Sequence, residues 1–209
     1  MRATTQEAKD DRRRQLMAAA LEEFFEKGFT AARMDDVAKR AGVSKGAVYL
    51  YFDSKDALFN ALIQEQAAPV ADRLKEAARA ALDPEDAIRA MMRFAPVMIR
   101  ETPVPKIVKV LIADAPVFPE TVTAYREDVV ERALAVVATI LESGRVSGVF
   151  DIQDAALTAR LVVAPIVISA IWRIVFEHDA AAEVDLEELF ALHERMLMRA
   201  LKTKDGGPR

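Results

Sequence analysis

The residues best suited to chemistry lie together at the start and along the outer side of one short predicted helix. They are Ser44, Lys45, Gly46, Ala47, Tyr49, Leu50 and Tyr51. Small residues at the helix start let the backbone approach closely, and a helix N-terminus offers free N–H groups and a positive dipole end to a phosphate. The tyrosines offer hydroxyls on rigid arms, the lysine adds charge, and the leucine suits a thymine methyl. The pattern favours docking on nucleic acid, although paired tyrosines on a short helix also make ordinary core or partner contacts.

Other kinds of chemistry find little support in the sequence. The chain has no Cys, which excludes thiol nucleophiles, disulfide scaffolds and Cys-ligated metal centres. Its two histidines, His178 and His193, have carboxylates nearby but no regular ligand spacing, so we predict no metal site. The chain also lacks a Gly-rich phosphate loop. We therefore predict neither an enzyme nor a bound cofactor.

The candidate surface belongs to a predicted helix-turn-helix that spans residues 33–52. Helices over residues 34–41 and from Ser44 to about Phe52 are joined by a short turn, in which Gly42 can adopt a positive φ. Four apolar side chains can form the shared core: Val37, Ala38, Val43 and Val48. Because a helix of about eight residues is marginal alone, the pair must rest on the preceding helix, predicted over residues 12–27.

The whole chain is predicted to be all-α, with about nine helices. Seven glycines in 209 residues and few alternating β-branched stretches argue against sheets. Candidate N-caps mark further helix starts at Ser54, Asp83, Asp151 and Asp185. The most apolar run, Leu161–Phe176, is shorter than the roughly 20 residues that span a bilayer and contains Arg173, so no membrane partner is predicted.

With these elements in place, residues 11–63 closely resemble the DNA-binding domain of the TetR family of transcriptional regulators. The resemblance rests on many positions at fixed spacing: Ala20, Phe24, Gly28, Phe29, Met34, Val37, Ala38, Ala41–Gly46, Val48, Tyr49, Tyr51, Phe52, Ser54, Lys55, Leu58 and Phe59. The all-helical remainder resembles the regulatory domain of that family more loosely. The resemblance implies a three-helix DNA-binding domain, and proteins of this kind usually bind two half-sites as two-fold dimers.

The resemblance implies roles for the matched positions. Residues 44–47 would lie at the start of the recognition helix and face bases or nearby phosphates. Tyr49 and Tyr51 would clamp phosphates along that helix. Lys55, at the start of the next helix, would contact phosphate as well. The resemblance therefore implies a reading surface formed by one helix and flanked by phosphate contacts.

Two features set this sequence apart: an unusual residue at the start of the second helix, and few side chains suited to base reading. Arg33 stands where the family usually has a Ser or Thr cap, and we predict that it contacts phosphate at some loss of capping. Gly46 and Ala47 offer no side chain for bidentate base reading. Sequence readout is therefore expected to depend on Lys45, Leu50 and DNA shape.

The chain divides into four predicted segments: a flexible arm over residues 1–10, the DNA-binding domain over 11–70, a ligand-sensing and dimerisation domain over 71–201, and a disordered tail over 202–209. The segment Leu161–Phe176 is hydrophobic nearly all round and must be buried on several sides, and the last helix carries a matching apolar stripe. The resemblance implies a four-helix homodimer interface, in which we place Leu161, Ile168, Ile171, Leu189, Leu192 and Met196. The alternative is a purely intramolecular core.

The apolar faces of the middle helices predict a site for a small, largely apolar or aromatic effector. Its candidate lining is Phe94, Met98, Ile112, Phe118, Tyr125, Trp172 and Phe176. Arg93, Arg100 and Arg173 are candidates for binding an anionic group of the ligand. The alternatives are core packing for each apolar side chain, and solvation or ion pairing for each arginine.

The sequence thus predicts a cytoplasmic, one-component transcriptional regulator that binds double-stranded DNA. The expected mode is repression by a homodimer on a palindromic operator, released when an effector favours a conformer with different spacing between the recognition helices. Two alternatives are a ligand-independent dimeric DNA-binding regulator and a protein-interaction module. A cavity of a few hundred cubic ångströms or more would favour the ligand-responsive regulator.

Net charge alone argues against a DNA partner, because the whole chain carries a formal charge of -4. The charge is divided unevenly, however. Residues 1–55 hold 11 Lys and Arg against 9 Asp and Glu, and residues 56–209 hold 18 against 24. The N-terminal part is mildly basic and the remainder is acidic, which is expected to orient a dimer on DNA and to limit non-specific binding.

Overall fold

The fold is helical throughout the part of the chain that the structure describes. The computed structural model describes residues 2–177 and 181–202, with side chains from Gln6 onward. Its helices are α1 (Arg2–Lys27), α2 (Met34–Arg40), α3 (Lys45–Tyr49), α4 (Lys55–Leu62), α5 (Pro69–Ala80), α6 (Pro84–Glu101), α7 (Val104–Asp114), α8 (Pro119–Tyr125), α9 (Arg132–Val146), α10 (Ala155–Val175) and α11 (Leu186–Leu201). Among these residues, β-type pairing is limited to one antiparallel bridge between Phe150 and Lys202. The predicted all-α class is confirmed.

Two π-helical segments lie between consecutive helices of the chain. Ile63–Ala67 follows α4 and precedes α5, and Arg126–Glu131 lies between α8 and α9. If each pair of helices separated by a π segment is counted once, the described residues contain nine helices, as predicted. His178 and the predicted tail beyond Lys202 lie outside the described residues.

The predicted N-terminal arm is helical where the structure describes it. Helix α1 begins at Arg2 and has 26 residues, so residues 2–10 continue the helix predicted from residue 12. This stretch contains neither Gly nor Pro to stop a helix. Gln6 Nε2 donates to Asp10 Oδ1 at 3.0 Å, one turn away, and adds side-chain support along the exposed surface.

Side-chain caps begin five of the described helices. Four predicted caps are confirmed, and each accepts a hydrogen bond from the backbone N–H three residues on: Ser44, Ser54, Asp83 and Asp185. The predicted Asp151 cap is wrong. Asp154 Oδ1 accepts from the N–H groups of Ala156 and Leu157 at 2.8 and 2.9 Å. Asp151 lies before the helix and donates its own N–H to the Leu201 carbonyl at 2.8 Å.

The helices form two compact units, each with its own core. The first comprises Met1–Ala67 and Lys106–Tyr125, and the second comprises Ala68–Pro105 and Arg126–Arg209. The sequence predicts residues 106–125 as part of the sensing domain, whereas the structure groups them with the helix-turn-helix. The difference arises because their side chains pack into the first core, where Phe118 is only 5% exposed.

The second unit is built on α6, α9, α10 and α11, with α5 alongside α6 and α9. Its core side chains are nearly inaccessible and include Ile88, Met92, Ile99, Val137, Leu141, Val162 and Phe190. Phe150 closes this core where the chain leaves α9. Its N–H donates to the Gly144 carbonyl at 3.0 Å, and its ring lies directly against that glycine.

Gly144→Ala tests this packing. A Cβ on Gly144 would lie 2.0 Å from Phe150 Cδ2, so the variant must displace a buried ring and is expected to lose about 1–3 kcal/mol of unfolding free energy. Gly46→Ala is the matched control, because a Cβ there meets nothing within 4 Å. Its better helix propensity should leave stability unchanged or raise it by about 0.5–1 kcal/mol. Urea unfolding compares the two variants, and equal stabilities would contradict the packing.

Candidate nucleic-acid interface

The predicted helix-turn-helix is present, with α2 packed against both α1 and α3. Val37 and Val48 are fully buried and Ala38 is 3% exposed, as their predicted core role requires, while Val43 is half-buried. Gly42 has a φ of +67°, the left-handed conformation that the turn needs. The Val43 N–H donates to the Ala38 carbonyl at 3.0 Å. This bond closes the turn and sets where α3 begins.

Four phenylalanine rings form the core on which these short helices rest. Phe24 of α1, Phe29 of the α1–α2 turn and Phe59 of α4 contact one another, with ring centroids 5.3–5.6 Å apart. Phe118 joins them at 4.6 Å from Phe29 and 5.7 Å from Phe59. All four rings are buried. The link between α7 and α8 is therefore part of the core that supports the recognition helix.

Lys55 anchors the turn between α1 and α2. Its Nζ donates to three carbonyl oxygens of that turn, at 2.6, 3.2 and 3.1 Å: those of Phe29, Thr30 and Ala32. An ammonium has three N–H donors, and these carbonyls use all of them. Partial burial lowers the pKa of the Lys55 amine. The predicted phosphate contact by this side chain is therefore not supported, and Lys55 is a positioning residue instead.

Asp114, at the end of α7, holds the same turn from a distant part of the chain. Its Oδ2 accepts from the Phe29 N–H at 2.8 Å, and its Oδ1 accepts from the Thr30 hydroxyl at 2.7 Å. Lys106 also fastens α7 to α1, because its Nζ lies 2.5 and 2.7 Å from the two carboxylate oxygens of Glu22. No local sequence signal marks these partners, which lie 84 or 85 residues apart in the chain.

The outer side of α3 and its ends remain open. Five of the predicted contact residues there are exposed and two are half-buried: Ser44, Lys45, Gly46, Tyr49 and Leu50 in the first group, and Ala47 and Tyr51 in the second. Leu50 is 84% exposed and Tyr49 is 42% exposed, so neither is an ordinary core side chain. A Cβ built on Gly46 meets nothing within 4 Å, so a large ligand can approach the backbone at the helix start.

Arg33 and Lys45 supply positive charge at the starts of α2 and α3. Arg33 occupies the N-cap position of α2 without a side-chain capping bond, as predicted, and within residues 6–177 and 181–202 its exposed guanidinium forms no ion pair. Lys45 Nζ lies 2.8 Å from Asp35 Oδ1, and its hydrogen bond to this carboxylate raises the pKa of Lys45. The two paired side chains are 61% and 50% exposed, so a phosphate can displace the carboxylate.

Several other cations near the N-terminus are held by carboxylates of α1 and α2. Arg40 pairs with Glu26 and also reaches Glu23 at 3.2 Å. Lys27 pairs with Glu23 and with Asp36, the latter at 3.3 Å. Glu23 itself is only 2% exposed. These ion pairs hold α1 and α2 together, so the number of Lys and Arg residues in this region overstates the number of cations available to DNA.

The seven predicted effector residues are divided between the two units. Ile112, Phe118 and Tyr125 belong to the first, and Phe94, Met98, Trp172 and Phe176 to the second. Phe118 is part of the aromatic core described above, and Ile112 is 60% exposed. Burial raises the pKa of Tyr125 to about 12. Trp172 and Phe176 contact each other with ring centroids 4.9 Å apart and remain partly exposed.

The predicted anion-binding arginines have partners within the second unit. Arg100 and Arg93 form ion pairs with acidic side chains, and Arg173 donates to a backbone carbonyl at 2.9 Å. Ion pairing, the alternative for these residues, is what the geometry favours. His193 Nε2 lies 3.3 Å from the Val162 carbonyl, and the described residues contain no group of three or more side chains suited to holding a metal.

Most of the predicted dimer residues lie on exposed apolar stripes of α10 and α11. The exposed ones are Leu161, Ile168, Leu192 and Met196, while Ile171 and Leu189 are half-buried. Leu157 and Trp172 extend the α10 stripe at helical spacing and are 63% and 41% exposed. Helix α10 has 21 residues and is long and apolar enough to cross a membrane by length and composition, with 28% of its most apolar window buried. The structural helix is longer than the apolar run identified from the sequence.

Two family models match the chain. Residues 16–62 match the bacterial regulatory proteins of the tetR family, and residues 86–191 match the C-terminal domain of AefR-like transcriptional repressors. The HTH-type transcriptional activator FasR of Mycolicibacterium smegmatis is 40% identical over 82 residues, which are 39% of this chain and 37% of FasR. The HTH-type transcriptional regulator YhgD of Bacillus subtilis is 29% identical over 154 residues, 71% of this chain and 77% of YhgD. The FasR match thus spans little more than a third of that relative.

Solved structures share the fold over nearly the whole chain. The ketosteroid transcriptional regulator KstR2 of Mycobacterium tuberculosis has a TM-score of 0.74 at 16% identity, covering 92% of this chain and 96% of its own. FadR of Bacillus subtilis, solved in complex with stearoyl-CoA, has a TM-score of 0.72 at 18% identity, covering 89% and 97%. At these identities the likeness establishes the fold alone.

Substitutions of Lys55 and Lys45 are expected to separate stability from DNA binding. Lys55→Met leaves three carbonyls without their donor and should lower the free energy of unfolding by about 1–3 kcal/mol. Lys45→Met removes only an exposed ion pair and should leave the free energy of unfolding nearly unchanged, but it should weaken DNA binding and lower the salt slope by about 1. Urea unfolding and fluorescence anisotropy on duplex DNA at several salt concentrations measure the two effects. A Lys55→Met variant as stable as the parent would contradict the anchoring role.

Proposed function

The chain belongs to the TetR family of bacterial regulatory proteins, and we propose that it is a one-component repressor that binds a palindromic operator as a homodimer. The family consists of transcriptional regulators, so the chain is a regulator and not an enzyme. The observation that carries the proposal is the open outer side of α3. Leu50 and Tyr49 are exposed there, and nothing covers the backbone at Gly46.

The proposed reading mode follows from which side chains are exposed on this helix. Lys45 and Leu50 project from a helix that otherwise offers small residues, so they are the proposed base-reading side chains. Arg33, Tyr49 and Tyr51 are the proposed phosphate contacts. With so few side chains for bidentate base reading, sequence-dependent DNA shape is proposed to supply the remaining specificity.

We propose repression and not activation because the match to a repressor domain covers more of the chain than the match to an activator. Residues 86–191, half of the chain, match a domain described for repressors. FasR is named an activator, but its match covers 39% of this chain. A repressor acts by occupying its operator, so it requires no further surface for recruiting transcription machinery.

A second copy of the chain is proposed to cover the apolar stripes of α10 and α11. Contiguous exposed apolar surface marks an interaction site, and a two-fold dimer would present two recognition helices at a spacing of roughly 34–36 Å. A bilayer is the other environment that suits α10 by length and composition. Because the chain belongs to a family of DNA-binding regulators, we propose that a second copy and not a bilayer covers these stripes. For the same reason we propose a cytoplasmic location.

A small, largely apolar effector is proposed to release the operator by favouring a conformer with different spacing of the recognition helices. FadR, which shares the fold, was solved with stearoyl-CoA. Phe94, Met98, Trp172 and Phe176 remain candidates for contacting such a ligand. In the first unit, Asp114 ties α7 to the turn before α2, so a shift of α7 would move that turn. A ligand-independent regulator is the alternative, and it would show unchanged operator affinity at saturating effector.

Selection of bound duplexes from random-sequence DNA tests the proposed binding mode. The expected result is a palindromic site whose half-sites are separated by about 10–10.5 bp or a multiple. Binding to that site should fall steeply and log-linearly with salt, because phosphate contacts release counterions. A selection that yields no consensus, or a site without two-fold symmetry, would overturn the dimeric operator model.

Leu161→Glu tests the proposed interface. A carboxylate within the α10 stripe would lose its water when a second copy covers it, so sedimentation velocity should show a shift from dimer to monomer. Affinity for the selected operator is expected to fall by about tenfold or more, because one half-site contact is lost. Val146→Glu is the control, since Val146 is 74% exposed and lies outside both stripes. Persistence of the dimer in Leu161→Glu would refute this interface.

A further inference from the structure

A groove in the second unit has the size and lining of a small-molecule site. It lies among α5, the start of α6 and α9, and has a volume of about 730 Å³. Small-molecule sites in proteins typically occupy about 300–1,000 Å³. The residues that line it are not those predicted for the effector from the sequence.

Small side chains on three facing helices leave this space. Alanines recur along the lining: Ala71 and Ala78 on α5, Ala87 on α6 and Ala135 on α9. Ile140 is 7% exposed and gives the groove an apolar floor. Leu82 stands at the edge and is 93% exposed. The groove therefore combines an apolar floor with an uncovered apolar side chain, which together suit an alkyl or similar chain.

The charged residues of the lining are not equally available. Arg132 Nη2 lies 2.8 Å from Asp72 Oδ1, which joins α9 to α5. Asp83 caps α6 by accepting a backbone N–H at 2.8 Å. Lys75 and Arg79 lie one turn apart on α5, are exposed, and form no ion pair with any residue in the described stretches 6–177 and 181–202. Both carboxylates of the lining thus have partners, and two of its cations are free.

We propose that this groove binds a small amphipathic anion, whose apolar chain lies along the alanine-lined floor and whose carboxylate or phosphate head lies between Lys75 and Arg79. Charge-assisted hydrogen bonds from a guanidinium and an ammonium suit either head group. A cationic ligand would meet two uncompensated positive charges, and a neutral one would leave both unused. The assignment rests on the proposed function and deepens it, because it places the effector in this groove instead of beside Phe94, Met98, Trp172 and Phe176 and gives it a chemical class. The binding step itself requires no DNA.

Isothermal titration calorimetry of the full chain with octanoate and octyl phosphate tests the site directly. One molecule of anion is expected to bind per chain, below the concentration at which the probe forms micelles. The better-bound probe identifies the head group. Octyltrimethylammonium has the same chain with the opposite charge and is expected not to bind.

Variants distinguish this site from general charge attraction. The double variant Lys75→Gln/Arg79→Gln removes both free cations and should weaken anion binding by about tenfold or more. Arg73→Gln is the matched control, because Arg73 is exposed on the same helix but does not line the groove. Ala135→Leu fills the groove from an exposed position and should abolish binding while the helical circular dichroism spectrum is retained.

The outcomes separate this assignment from the proposed function. Absence of binding by both anions, equal loss in Arg73→Gln, or equally tight binding of octyltrimethylammonium would overturn the groove assignment. In each of those cases operator binding, measured separately by fluorescence anisotropy, would still support the regulator. Failure to bind any operator together with tight, Lys75- and Arg79-dependent anion binding would overturn the regulator and leave the anion site supported.

Discussion

The DNA-binding unit depends on one turn, between α1 and α2, that side chains from two other helices hold in place. Helices α2 and α3 have seven and five residues, too few to be stable alone, so their position follows from what holds their ends. Lys55 presents an ammonium to three carbonyls of the turn, and Asp114 presents a carboxylate to an N–H and a hydroxyl of the same turn. The positive ammonium thus faces carbonyl oxygens, and the negative carboxylate faces hydrogen-bond donors. On the apolar side of this turn, the rings of Phe29 and Phe118 pack against each other.

This use of charge explains why formal charge is a poor guide to the interface. Within α1 and α2, Arg40 and Lys27 are held by carboxylates, one of them the buried Glu23. Arg13 is likewise held, by a hydrogen-bonded pair with Glu65 and by a position 4.6 Å from the Phe52 ring. A cation that forms an ion pair within the fold cannot also bind a phosphate without a loss of stability. Around α3 this leaves a small exposed set of side chains for DNA, which suits a reader that depends on close backbone approach and shape.

Features encoded within a few residues of one another were predictable from the sequence, and features encoded across the fold were not. The Ser44 and Ser54 caps and the positive φ of Gly42 follow from local rules and are confirmed. The role of Lys55 was not predictable, because a lysine at a helix start suits phosphate and backbone carbonyls equally until the turn is placed beside it. The grouping of residues 106–125 with the first unit depends on Asp114 and Phe118, whose partners lie far away in the chain. The wrongly predicted cap is that of α10: it is Asp154, three residues beyond Asp151, whose own N–H donates to the distant Leu201 carbonyl.

The second unit leaves apolar surface open in two different shapes, and the shapes argue for different occupants. On α10, Leu157, Leu161 and Ile168 repeat at helical spacing along a convex rod, and a long convex stripe is best covered by another helix of matching length. The groove beside α5 is concave, and alanines, not large side chains, create its space. A slender chain with a charged head group matches the small lining side chains and the unpaired cations Lys75 and Arg79, which is why the partner and the ligand are assigned to different faces of the same unit.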